Sequence, residues 1–192
     1  DAVSTITLDP NGSDDSLVIS NASGDVVLSL ADDYSATTVG VTVNGATGLT
    51  VNNSAAIGGD IDITAANATD VTIALKNSNA ISVDALTVAS ATTVNLGGNN
   101  TTSVGAAYAG DITVASLVAA KGTTLNIDTN QGNVAIPTLT AAKLTALNIV
   151  GDGTFTAGAT AATTSALASL DGSTATGAIT VTQNMDFASG AT

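Results

Sequence analysis

Residues 115–127, ASLVAAKGTTLNI, and residues 137–149, PTLTAAKLTALNI, decide the fold of this chain. A single shift of 22 aligns the two stretches without a gap, and they share eight of thirteen positions, including Leu125 and Leu147. A match of this length indicates an internal repeat, which is the sequence signature of stacked structural units. We therefore expect Leu125 to lie directly on Leu147 in space.

A second motif interleaves with the first. Residues 110–114, GDITV, and residues 132–136, GNVAI, are related by the same shift, and looser copies occur at 24–28, 59–63 and 177–181. The repeat unit is thus a Gly-Asp strand, a Leu-x-x-Ala corner and a Thr-x-Leu-Asn-Ile strand. A unit of about 22 residues with two or three short strands fits one coil of a β-solenoid.

The strand pattern extends along most of the chain. Triplets that alternate apolar, polar and apolar, such as residues 6–8 (ITL) and 61–63 (IDI), recur about every ten residues. Residues 86–96 form a third, weaker copy of the first motif, and 97–109 form a loop insertion. We predict an all-β fold, a β-solenoid resembling a parallel β-helix, with coils of about 22 residues. The alternative is a β-sandwich whose strands look alike because the composition is biased.

The repeat is less regular before residue 58. We predict an irregular or sandwich-like N-terminal β module, or a cap, at 1–57 and the solenoid segment at 58–192. In the solenoid, Asn95, Asn126 and Asn148 are predicted to form a stacked column with a structural role.

The composition excludes several kinds of chemistry. The 192 residues contain sixteen Asp and three Lys, no Glu, Arg, His, Cys or Trp, and carry a net charge of −13. A Ser-His-Asp or Cys-His active site, a Cys/His zinc site and a disulfide framework therefore cannot form. Nucleic acid is not expected as a partner, because three bases cannot offset this charge. No apolar stretch is long enough for a transmembrane helix, and the composition favours an extracellular protein.

A family resemblance rests on low-complexity phrases at residues 116–127, 138–159 and 165–182. They resemble bacterial S-layer proteins of the calcium-dependent, type I-secreted (RTX-related) kind. The resemblance implies an extracellular protein that assembles with itself, often with Ca²⁺. The calcium nonapeptide of that family, Gly-Gly-x-Gly-x-Asp-x-apolar-x, does not occur in this chain, so no calcium roll is implied within it.

Calcium is the one cofactor that this inventory of oxygen ligands suggests. Asp9, Asn11, Ser13 and Asp15 occupy alternate positions, as the ligands at the start of an EF-hand loop do. The glycine comes at position 4 of this loop instead of position 6, and no Glu closes it, so an ordinary acidic turn is the alternative. Two further acidic pairs are also candidates: Asp32–Asp33 and Asp60/Asp62.

We expect the chain to be a structural protein of the cell surface, an S-layer lattice or surface-fibre subunit without catalytic activity. Its expected partner is another copy of itself, and a cell-surface polysaccharide is a second candidate. One alternative is the repeat or stalk region of a large secreted adhesin. Another is a polysaccharide-active β-helix enzyme, in which Lys121 and Lys143 would lie on adjacent coils as candidate bases for uronic acid substrates.

Overall fold

The apolar triplets form short strands that, among the described residues, build two parallel sheets of eight strands each. The computed structural model describes residues 6–8, 15–30, 38–54, 60–76, 78–97, 110–130, 132–159 and 167–182. The strands are β1 (Ile6–Leu8), β2 (Asp15–Ile19), β3 (Val26–Leu30), β4 (Thr38–Val43), β5 (Gly48–Asn53), β6 (Asp60–Thr64), β7 (Asp70–Leu75), β8 (Ile81–Thr87), β9 (Thr93–Gly97), β10 (Ile112–Val118), β11 (Thr124–Asp128), β12 (Val134–Thr140), β13 (Ala146–Gly151), β14 (Phe155–Ala159), β15 (Ser169–Ala175) and β16 (Ile179–Thr182).

Odd-numbered strands form sheet A and even-numbered strands form sheet B, each in chain order. Each coil therefore adds one strand to each sheet, which is the architecture of a β-solenoid and confirms the predicted fold class. Leu125 pairs with Leu147 in parallel register, as the sequence repeat predicts. No helix among the described residues is long and apolar enough to cross a membrane.

One coil is longer than its neighbours. Leu125 pairs with Leu147 on one side and with Val94 on the other. The residue numbers differ by 22 in the first pair and by 31 in the second, as they do for the hydrogen-bonded asparagines beside them. The additional length falls between Gly97 and Gly110, where the sequence predicts an insertion. Residues 98–109 themselves lie outside the described residues. The register on both sides of the insertion is kept, so the third copy of the repeat, at 86–96, is confirmed.

Columns of aliphatic side chains fill the space between the sheets. One column of sheet A contains Val26, Leu49, Val71, Val94, Leu125 and Leu147, each at most 2% exposed. Burial of each such side chain stabilises the fold by about 1.5–3 kcal/mol. In sheet B the bulky, buried Phe155 stacks on Val134, and two residues further Ala157 stacks on Ile136. The small Ala157 leaves room for the ring of Phe155, so the volume of this layer is conserved.

Threonine hydroxyls link consecutive coils at the corner between sheet B and sheet A. The Oγ1 atoms of Thr69, Thr92, Thr123 and Thr145 each donate to the carbonyl oxygen of the threonine one coil earlier, at 3.0–3.2 Å. The first carbonyl in this series belongs to Thr47. Small buried side chains line the inside of the corner: Ala46, Ala68 and Ala91. These carbonyls also accept backbone N–H groups of the next coil, so each hydroxyl adds a second hydrogen bond to the same acceptor.

Glycines stack at the opposite corner, between sheet A and sheet B. A Cβ atom on Gly132 would collide with the carbonyl oxygen of Gly110, and one on Gly153 would collide with that of Gly132. Gly177 stands in the same relation to Gly153. Gly132 also has φ +145°, a conformation that side chains disfavour. The Gly-Asp motif therefore marks a corner where consecutive backbones touch.

One predicted copy of this motif is wrong. Gly24 precedes β3, a strand of sheet A, whereas Gly110 and Gly132 precede strands of sheet B. The carbonyl oxygen of Gly24 accepts a hydrogen bond from the backbone N–H of Thr47 at 3.2 Å, so this glycine lies at the threonine corner. Gly59, the first residue of another looser copy, lies outside the described residues.

The strands before residue 58 belong to the same two sheets. β3 pairs with β5 in sheet A, and β2 pairs with β4 in sheet B, all in parallel register. The described part of residues 1–57 therefore continues the solenoid and does not form a separate sandwich. A boundary between residues 57 and 58 stays a prediction, because 55–59 lie outside the described residues, as do residues 1–5 of a predicted cap.

We predict that Gly132→Ala destabilises the protein by about 1–3 kcal/mol from its backbone conformation alone, with the collision against Gly110 in addition. Urea denaturation followed by circular dichroism measures the loss. Gly40→Ala is the matched control, because its new Cβ would lie 3.9 Å from the Cβ of Ser16, an ordinary contact. This control is expected to be neutral or slightly stabilising. Equal stability of the two variants would contradict the stacked-glycine corner.

Candidate functional site

The strongest calcium prediction falls largely outside the described residues. Asp9, Asn11 and Ser13 are not described, and Asp15 is known as the first residue of β2, where its backbone pairs with Val39. The alternative pair Asp32–Asp33 also lies outside the described residues. Calcium binding at these positions stays a prediction.

Asp60 and Asp62 lie on the outer face of sheet B. The Asp60 carboxylate accepts a hydrogen bond from Ser82 Oγ at 3.0 Å. Asp62 pairs with Gly40 and Ala85, neither of which has a polar side chain, and its buried Oδ1 has no hydrogen-bond partner among the described residues. Within this part of the chain, no group of three or more acidic side chains could hold a metal ion.

Acidic side chains at the corners form hydrogen bonds between coils. Asp111 Oδ1 accepts from the backbone N–H and the Nδ2 of Asn133, at 2.8 and 3.0 Å. Asn133 Oδ1 in turn accepts from the backbone N–H and Oγ1 of Thr154, at 2.9 and 2.7 Å. At the opposite corner Asp25 Oδ1 accepts from Thr47 Oγ1 at 2.9 Å. These carboxylates stabilise the stack of coils and are already partly used as acceptors.

Lys121 and Lys143 are both exposed and occupy the same position of the threonine corner on adjacent coils. Neither side chain makes an ion pair or hydrogen bond with a described residue. The predicted stacking of these two corner positions is confirmed. A role as catalytic bases stays a prediction.

A ladder of amide side chains runs along the outer face of sheet A. Asn148 Nδ2 donates to Asn126 Oδ1 at 2.8 Å, and Asn126 Nδ2 donates to Asn95 Oδ1 at 2.7 Å. Asn95 Nδ2 ends the ladder on Thr72 Oγ1 at 3.1 Å. The predicted asparagine column is thereby confirmed, and each rung lies on the next coil at about 4.8 Å.

A shallow groove of about 260 Å³ runs beside this ladder. We call it the amide groove; its outer wall is the neighbouring column of Gly97, Asp128 and Val150. Gly97 has φ +125°, and a Cβ at this position would collide with the carbonyl oxygen of Asp128. This position of the outer wall therefore requires glycine, because the backbone of the next coil passes directly against it.

Two acidic residues lie at and beyond the groove. Asp128 Oδ1 accepts from the backbone N–H and Nδ2 of Asn130, at 2.9 and 2.7 Å, which fixes the orientation of this carboxylate. Asp171 continues the amide column, pairing with Asn148. Hydrogen bonds from the side chain and the backbone N–H of Ser173 lower the pKa of the exposed Asp171 below its usual value. Asp171 is therefore charged at neutral pH.

The sequence interpretation found the amides but missed the groove wall. The signal was present: each rung is followed two positions later by Gly97, Asp128 or Val150. These three residues differ in chemistry, so a search for identical repeat positions passes over them.

Comparison of the chain with models of protein families, with curated proteins and with solved structures finds no match. The solenoid alone does not identify a function, because one fold can host unrelated activities. Function must therefore be argued from the exposed surfaces of this molecule: the ends of its two sheets and the amide groove.

We predict that Asn126→Asp lowers the free energy of unfolding by about 1–3 kcal/mol at neutral pH. The new carboxylate cannot donate to Asn95 Oδ1 and places a negative charge against it. Protonation restores a donor, so folding raises the pKa of the new carboxyl. The penalty is thus full above that raised pKa and decreases as the pH falls through it. Urea denaturation at neutral and mildly acidic pH measures both effects.

The matched control is Asn52→Asp, at an outward position of β5 whose side chain makes no hydrogen bond with a described residue. We expect its stability to change by no more than about 0.5 kcal/mol. Similar losses in the two variants would show that the ladder contributes nothing specific.

Proposed function

We propose that the chain is a structural, self-assembling protein of the extracellular surface, a subunit of an S-layer lattice or of a surface fibre. The observation that carries the proposal is the exposure of apolar side chains on the last described coil. Phe155 is 0% exposed, whereas Ile179, its register partner on the last described strand of sheet B, is 36% exposed. Leu170 and Val181 on the last coil are likewise only partly buried.

The backbone supports the same proposal. Among the described residues, β15 and β16 each pair with one neighbour, and so do β1 and β2 at the opposite end. Such edge strands present backbone N–H and C=O groups that can form hydrogen bonds with a strand of another chain. Because all pairings are parallel, the edges at the two ends differ, and end-to-end contact is heterologous. A heterologous contact that does not close into a ring generates an open fibre.

The negative net charge of the chain indicates that self-assembly needs cations. Two copies with net charge −13 repel each other, and salt screens that repulsion within about 10 Å at 0.1 M. Divalent cations bridge carboxylates more effectively than they bridge any other side chain. Calcium is therefore the cofactor of the proposal, with acidic side chains of neighbouring copies as its ligands. The S-layer resemblance agrees with a location outside the cell.

Electron microscopy of the purified protein with calcium, and after addition of a chelator, tests this proposal. We expect sheets or fibres with calcium and their loss with the chelator. Isolated rods under both conditions would instead favour the stalk of an adhesin. A monomer that cleaves uronic acid polymers would favour the enzyme. Either of these last two results overturns the proposal.

A variant of the exposed end sharpens this test. We predict that Ile179→Lys abolishes or weakens assembly at least tenfold, because an ammonium group then lies where the next coil would pack. Stability should change little, since this side chain is already partly exposed. Sedimentation velocity in calcium buffer measures the assembly. Thr138→Lys adds the same charge at an exposed position of β12, within sheet B, and should assemble like the unmodified protein. Equal assembly of both variants would contradict an end-to-end contact.

A further inference from the structure

We infer that the amide groove binds a neutral polysaccharide whose chain runs parallel to the solenoid axis. The groove is linear, because its rungs Asn95, Asn126 and Asn148 lie on three consecutive coils. A polymer with a regular repeat can present the same groups to successive rungs. A compact small molecule could contact only one or two of them.

The amides keep unused hydrogen-bonding capacity. A carboxamide has two N–H donors and two lone pairs on its oxygen. Within the ladder Asn126 uses one donor towards Asn95 and one lone pair towards Asn148. One donor and one acceptor therefore remain for an external group. Hydroxyl groups, which both donate and accept, match such a surface on every rung.

The outer wall supplies the other contacts that a sugar needs. Asp128 is a carboxylate acceptor whose orientation is fixed by two hydrogen bonds from Asn130. Val150, 37% exposed, is an apolar surface beside it, suited to the C–H face of a pyranose ring. A polar and an apolar contact thus follow each other along this wall, one on each of two adjacent coils.

Charge selects neutral chains over acidic ones. The lining contains the carboxylate of Asp128 and no lysine, and the whole chain carries −13. Uronic acid polymers, teichoic acids and nucleic acids are repelled by this field. Among the described residues, the lining also contains no aromatic ring. We therefore expect a weak site, with Kd on the order of 1 mM.

The test uses the full chain and three neutral probes: cellohexaose, maltohexaose and mannohexaose. In ¹⁵N-labelled protein, at least one probe should shift the side-chain amide resonances of Asn95, Asn126 and Asn148, with a saturable Kd on the order of 1 mM. Hexagalacturonate, an acidic probe of equal length, should bind at least tenfold more weakly. The inference is overturned if none of the neutral probes shifts these resonances, or if the acidic probe binds as tightly.

Val150→Lys blocks the groove without removing a rung and should weaken binding at least tenfold. Val18→Lys makes the same change on the outer face of sheet B, where Val18 is 58% exposed, and should bind within twofold of the unmodified protein. Unchanged binding by Val150→Lys would overturn the inference. If that variant does not fold, the resonance shifts of the unmodified protein with the neutral and acidic probes decide whether the groove binds neutral polysaccharide. The measurement is independent of assembly, so its failure would leave the proposed function standing.

Discussion

Parallel, in-register pairing of each coil with the next is the constraint on which this structure depends. Such pairing sets each residue against its counterpart one coil away, at about 4.8 Å. Each stacked column must therefore consist of residues that pack favourably against residues of the same kind. Aliphatic side chains stack inside the solenoid, amide and hydroxyl side chains stack outside it, and glycines stack where consecutive backbones touch. Leu125 on Leu147 and Asn126 on Asn148 are two results of the same rule on opposite faces of one strand.

The same pairing also explains why the outer surface of the solenoid needs few charged side chains. Outside the core, hydrogen bonds between residues of the same type connect the coils. The Thr123 hydroxyl donates to the backbone carbonyl of Thr92, and the Asn126 amide donates to the side-chain oxygen of Asn95. A carboxylate only accepts, so it needs a donor on a neighbouring coil, which Asp60 finds in Ser82. Asp62 lies between Gly40 and Ala85, which offer no side-chain donor, and its buried Oδ1 has no partner among the described residues.

The sequence is sufficient to predict the solenoid where coil length is constant. Between residues 110 and 150, one shift of 22 aligns both motifs, and the register follows from it. Earlier coils are spaced unevenly: Leu17 pairs with Val41, a shift of 24, whereas Val39 pairs with Ile61, a shift of 22. Small differences in loop length destroy the period without disturbing the stack. Pairing is therefore regular in space where the sequence looks irregular, and the first coils resemble a separate module.

Short sequence motifs fail to predict which sheet a strand joins, and the reason is different. A glycine followed by Asp and an aliphatic residue begins a strand at either corner, so Gly24 and Gly110 look alike although they precede different sheets. The amide groove was equally hidden. Its floor follows from a column of identical residues, but its shape depends on Gly97, Asp128 and Val150, whose proximity to the amides is a property of the fold. Identical residues at the same repeat position predict a stacked column. Which columns lie beside each other can be seen only in the structure.

The two proposed surfaces reinforce each other through geometry. The groove runs along the solenoid axis, and end-to-end contact extends the molecule along that same axis. Coaxial subunits would therefore bring their grooves into line on one face. A polysaccharide bound in one groove would then reach the next without bending, and each further contact becomes intramolecular. Affinity that is weak for one subunit would then be strong for a fibre. Weak single sites would thus suit a protein that acts as an assembly.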